Sequence, residues 1–116
     1  MIRDMVAYQR QAETTAVFPG KGELGSFDGL AYVALGLSGE AGEIANKVKK
    51  VARDHGGIIS AAHRAQLADE LGDVFWYLAQ FATQLGFDLD AIAASNLAKV
   101  ADRKARGVLQ GSGDNR

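Results

Sequence analysis

The stretches Glu40-Ala41-Gly42-Glu43 and Glu70-Leu71-Gly72-Asp73 decide how this chain is read. In each, two carboxylates stand three residues apart, which on a helix places them on neighbouring turns of one face. Both stretches lie inside segments whose other positions are mostly apolar. If two helices carrying them pair antiparallel, four carboxylates converge, and such a cluster repels itself unless a cation stands among them.

Working outward, the apolar period and the glycine breaks predict an all-α fold of four helices. The segment holding the first dyad runs from about Gly29 to Asp54, with Asp28 as N-cap and Gly56-Gly57 as its stop. At about 100° per residue, Val33, Leu37, Ile44, Val48 and Val51 make its core stripe. Tyr32, Gly36, Glu43, Lys47 and Lys50 form the adjacent stripe, and Glu40 falls on the border. The segment holding the second dyad is capped by Ser60 and runs from about Ala61 to Leu85, ending at Gly86. Its core stripe reads Leu67, Leu71, Val74, Leu78, Phe81 and Leu85, flanked by Glu70, Asp73 and Tyr77. Ala68, Gly72, Ala79 and Thr83 gather on another side, where a neighbouring helix can approach closely.

An N-terminal helix is predicted from about Ile2 to Thr15, followed by a loop rich in glycine with the single proline, Pro19. A last helix starts at Asp88 and continues to about Arg106, with Ile92, Ala93 and Val100 inward and Asn96, Lys99 and Arg103 beside them. The domain is thus read as residues 1–106, followed by a Gly-rich tail, 107–116.

At 116 residues the chain makes one domain with one core. A net charge of −1 provides no long-range field for nucleic acid. There is no cysteine, so a disulfide framework and a thiolate metal site are both excluded. No apolar run approaches the ~20 residues of a membrane span, and the N-terminus has no signal-peptide core, so the expected setting is the cytoplasm.

Carboxylates without accompanying histidine or cysteine make a hard, all-oxygen site suited to Mg²⁺, Mn²⁺ or Ca²⁺ rather than Zn²⁺. Mg²⁺ held in this way commonly completes its shell with substrate phosphates. Neither His55 nor His63 stands three residues after one of these glutamates, as a di-iron bundle would require. The alternative is structural: Glu40, Glu43, Glu70 and Asp73 pairing with Lys47, Lys50 and Arg53 in salt bridges within a non-catalytic helical interaction module.

The run Leu35-Gly36-Leu37-Ser38-Gly39-Glu40-Ala41-Gly42-Glu43, followed by Asp69-Glu70-Leu71-Gly72-Asp73-Val74-Phe75-Trp76-Tyr77-Leu78, resembles the signature of the MazG-like all-α nucleoside triphosphate pyrophosphohydrolases. Asn96-x-x-Lys99-x-x-x-Arg103 matches the spacing of that family's basic motif on the last helix. The resemblance implies a Mg²⁺ site (Mn²⁺ being possible) on Glu40, Glu43, Glu70 and Asp73, which are also the catalytic residues. It implies hydrolysis of a (deoxy)nucleoside triphosphate to the monophosphate and pyrophosphate, a role in clearing unwanted nucleotides, and assembly as a homodimer or homotetramer. Phosphoribosyl-ATP pyrophosphohydrolase shares this fold and chemistry and is the second enzymatic reading. The chain departs from many family members in having Gly39 where they carry a further glutamate.

Lys47, Lys99 and Arg103 are the residues expected to meet the polyphosphate charge. Trp76 falls about 180° from the core stripe of its helix, which marks a subunit interface or a surface for base stacking. Tyr32 and Asn96 are assigned with it to the base or the interface; Tyr8, Phe18 and Phe27 are, with Tyr32, the further aromatic positions that serve either the base pocket or, as favoured for each, the packing of the core. The tail is expected to fold back toward the site or a neighbouring subunit, bringing Asn115 or Arg116 near phosphate.

Overall fold

The computed structural model describes residues 2–116. It contains four helices, α1 (Met5–Glu13), α2 (Phe27–His55), α3 (Ala61–Leu85) and α4 (Leu89–Ala105), and no strand among the described residues.

The helix ends follow from local chemistry. Asp4 caps α1 by accepting the Ala7 N–H at 2.7 Å. The cap of α2 is Ser26, whose Oγ accepts the Gly29 N–H at 3.2 Å, so Asp28 lies inside the first turn, where its charge favours the helix dipole. Ser60 and His63 form a reciprocal capping box at the start of α3, with both bonds 3.1 Å long. Gly56 and Gly86 end α2 and α3 in the left-handed conformation, at φ 58° and 79°. Asp88 occupies the cap position of α4 but makes no capping bond with its side chain; the Leu89 N–H is taken at 2.7 Å by Gln9 Oε1 of α1.

The long helices α2 and α3 form a hairpin joined by residues 56–60, and this pair has the most extensive contact in the fold. α1 and α4 pack on α3 and on each other, whereas α4 does not touch α2 among the described residues. The core between α1, α3 and α4 is built of Ala12, Ala79, Ala82 and Leu89, with Tyr8, Phe75 and Trp76 against it. Small residues on α3 let α1 lie close, as Ala79 in the small-residue face predicts.

Two buried glutamines brace this core. Gln9 donates to Thr83 Oγ1 and to the Phe87 carbonyl, both at 3.0 Å, tying α1 to the turn between α3 and α4. Gln84 donates to the carbonyls of Gly20 and Glu23 and accepts the Gly22 N–H, which pins the glycine-rich loop onto α3. Each glutamine is buried with its hydrogen-bonding groups satisfied, so neither carries the penalty of an unpaired buried amide.

The aliphatic stripe of α3 is not the core of the single chain. Leu71 is 60 % exposed, and Leu78 and Leu85 are exposed with it. Together with Ala68, Gly72, Val74 and Phe75, Leu71 and Leu78 line an open apolar groove of about 430 Å³. The surface area of 8075 Å² exceeds the roughly 6,100 Å² expected of a compact monomer of this mass. The radius of gyration, 17.0 Å, likewise exceeds the value of about 13 Å for a chain of this length. No helix of the described residues is long and apolar enough to cross a membrane.

Candidate active site

The hairpin α2–α3 brings three of the four dyad carboxylates together. Glu40, Glu70 and Asp73 each offer an oxygen within 4.8 Å of the others. Glu43, one turn beyond Glu40, is exposed and stands outside this trio, yet close enough for its charge to act on Glu40. Partial burial, followed by the negative charges of Asp73, Glu70 and Glu43, pushes the Glu40 carboxyl above its ordinary value. Lys47 Nζ approaches Glu70 from one side at 3.6 Å, and this is the one salt bridge to the trio among the described residues. The structural alternative is therefore realised only in that pair; Arg53 turns instead to its neighbour Asp54, at 2.7 and 2.9 Å.

The donor set fits a hard divalent cation: three carboxylates, with no sulfur and no imidazole in the group. Glu40 and Glu70 are half-buried and Asp73 is exposed, which leaves one side of the cluster open to a ligand.

Aromatic residues border the carboxylates on the side away from Lys47. The Tyr32 ring stacks on Phe18 with centroids 4.6 Å apart and planes 7° from parallel, and it lies 6.3 Å from the Tyr77 ring. Gly36 makes room for Tyr77: a Cβ at this position would collide with the tyrosine ring. Burial raises the Tyr77 hydroxyl pKa, and the Tyr32 hydroxyl and the charges of Glu40 and Asp73 add to the shift. Tyr8 is shifted the same way by burial and then by Asp73, so Tyr8 and Tyr77 both feel the charge of that carboxylate. Spacing alone assigned Tyr77 to the flank of α3; its role as the neighbour of both Tyr32 and the carboxylates requires the glycine opposite it.

This arrangement coincides with a family match. Residues 30–108 match the description "MazG nucleotide pyrophosphohydrolase domain", spanning both dyads and α4. The chain belongs to the MazG nucleotide pyrophosphohydrolase family. Over 109 residues it is 56 % identical to the "Gene 37 protein" of Mycobacterium phage L5, covering 94 % of this chain and 96 % of that one. No solved structure gives a significant match. The MazG match supports a hydrolase acting on nucleotides and agrees with the all-helical fold.

The remaining positions named from the sequence lie elsewhere in this MazG domain. Lys99 and Arg103 do not meet the carboxylates; they face Asp114 of the tail at 3.7 and 3.4 Å. Arg103 is buried and also donates to the Asp114 carbonyl at 2.9 Å. Asn96 and Lys99 line a groove of about 500 Å³ with Phe87 and Ile92. The tail does fold back, but onto α4, and Arg116 donates within the tail to the Leu109 carbonyl.

Trp76 is half-buried rather than free on the surface. It packs on the α1–α3 core and donates from Nε1 to Thr15 Oγ1 at 2.8 Å. The face opposite the aliphatic stripe is where α1 lies, and this accounts for the difference. Its ring meets Tyr77 edge-on at 5.0 Å.

Proposed function

We propose that this protein hydrolyses a nucleoside triphosphate between the α and β phosphates, giving the monophosphate and pyrophosphate, with Mg²⁺ or Mn²⁺ held by Glu40, Glu70 and Asp73. The single observation that carries this reading is the convergence of those three carboxylates inside a MazG domain. When bound, the cation supplies positive charge against the phosphate oxygens and acidifies water. Water then gives its hydroxyl to one phosphorus, the bridging P–O bond breaks, and the released proton passes to a carboxylate. Glu43, beside the trio but outside it, is the carboxylate best placed to take that proton while the others stay with the cation. Tyr32 and Tyr77 offer an aromatic surface for the base, and Lys47 offers charge to the phosphates.

The bare aliphatic face of α3 and the excess surface support assembly as a homodimer or homotetramer. Lys99, exposed on a helix that does not touch α2, would join phosphate binding through such assembly, whereas Arg103 is buried against Asp114.

A screen for pyrophosphate release across natural and damaged triphosphates, with phosphoribosyl-ATP included, tests the activity and selects the substrate. Glu43→Gln and Asp73→Asn are expected to abolish release while leaving helix content intact. Full activity in both variants would refute the site.

A further inference from the structure

The seam between α2 and α3 is graded along its length. Tyr32 and Gly36 of α2 meet Tyr77 of α3, Glu40 meets Asp73 and Glu70, and Lys47 and Lys50 share a cleft with Gln66 and His63. Aromatic rings stand at one end, carboxylates in the middle and nitrogen donors at the end near the hairpin loop.

The basic end forms a cleft of about 340 Å³ lined by Lys47, Lys50, His55, His63 and Gln66, with Asp54 at its edge. Lys47 joins the cleft to the carboxylates through Glu70. Arg53 covers both oxygens of Asp54, so the one anion in the lining is already paired. His63 Nδ1 accepts the Ser60 N–H, so the proton of the neutral ring is on Nε2, which is left as a donor. The His55 ring meets it edge-on at 4.7 Å and limits where it can turn.

Along the two helices themselves, the opposite end offers no cation. From Phe27 to Gly39 α2 carries no Lys or Arg, and from Val74 to Leu85 α3 carries no charged residue at all.

We infer that Lys47, Lys50 and His63 form the seat of the pyrophosphoryl half of the substrate, so that the triphosphate lies along the hairpin with its base toward Tyr32 and Tyr77. This rests on the triphosphate reading above and adds a direction and two residues to it. Lys50 and His63 bind the leaving group, and pyrophosphate departs over the hairpin loop.

The test is calorimetric titration of the full chain with magnesium pyrophosphate and, separately, with a nucleoside monophosphate. His63→Glu keeps the capping box, since glutamate is the usual partner at that position, while replacing a donor with a negative charge. Lys50→Gln removes a charge from an exposed position. Each variant is expected to weaken pyrophosphate binding about tenfold or more and leave monophosphate binding within about twofold. Unchanged pyrophosphate affinity in both variants, equal loss for both ligands, or a wild-type protein that does not bind pyrophosphate overturns the inference. Because binding is read on pyrophosphate itself, these failures are distinct from failure of the activity, which is a wild-type protein that releases no pyrophosphate from any triphosphate.

Discussion

Lys47 Nζ lies 3.6 Å from the Glu70 carboxylate, so the lysine would compete with the proposed divalent cation for the same ligand. The pair is partly exposed, with the side chains 34 % and 19 % accessible, which limits its worth to a few tenths of a kcal/mol. Lys47→Gln is therefore expected to tighten Mg²⁺ alone by about twofold, because the competing charge is gone. The same variant should raise KM for the triphosphate about tenfold, because a phosphate partner is lost. Calorimetry for the metal and steady-state kinetics for the substrate check the opposite signs.

Asp73→Asn separates metal binding from folding. Asp73 is exposed and adds to the repulsion felt by Glu40. Removing its charge should stabilise the metal-free protein slightly, by ~0.3 kcal/mol, the scale of exposed like-charge pairs. Wild-type protein at Mg²⁺ a hundredfold above Kd gains about 2.7 kcal/mol, a rise in Tm on the order of 10 °C. Thermal melts of the variant should show the small gain and no Mg²⁺ response.

The metal response should grow with pH through the carboxylate range. Glu40 is raised in the folded state, so without metal its contribution to stability is present below the unfolded carboxyl value and is lost as pH rises through the folded one. A bound cation favours the ionised form and reverses that loss. The difference in Tm with and without Mg²⁺, followed from mildly acidic to neutral pH, should widen; a difference that narrows would contradict this electrostatic account.

Gly36→Ala probes the aromatic end. The new Cβ would collide with the Tyr77 ring, so that ring must leave its place beside Tyr32. A loss of about 1–3 kcal/mol in stability is expected for such overpacking. Trp76 is the chain's one tryptophan and touches Tyr77, so its fluorescence should report the displacement directly.

Much of the fold is written locally. Ser60 with Gly86 and the glycine pair after His55 mark the ends of α3 and the end of α2, because caps and left-handed positions are decided by single residues. The dyads are legible for the same reason: spacing alone puts their carboxylates on one face. Which face is buried, and by what, is not local. The period of Leu71, Leu78 and Leu85 shows a side that gains from burial, while Ala79 and Ala82 decide where α1 lies. Nothing local marks Gln9 and Gln84 as buried, because the backbone groups that satisfy them stand some 60 to 80 residues away in the chain. The same distance effect hides the partner of Lys99 and Arg103, since Asp114 reaches them only when the tail turns back along α4.

Phosphorus NMR of a triphosphate incubated with the protein and Mg²⁺ reads whether the bond between the α and β phosphates is the one cut. Equal amounts of monophosphate and pyrophosphate, absent with Asp73→Asn, are the predicted result. Orthophosphate with diphosphate, or products undiminished in that variant, would contradict it.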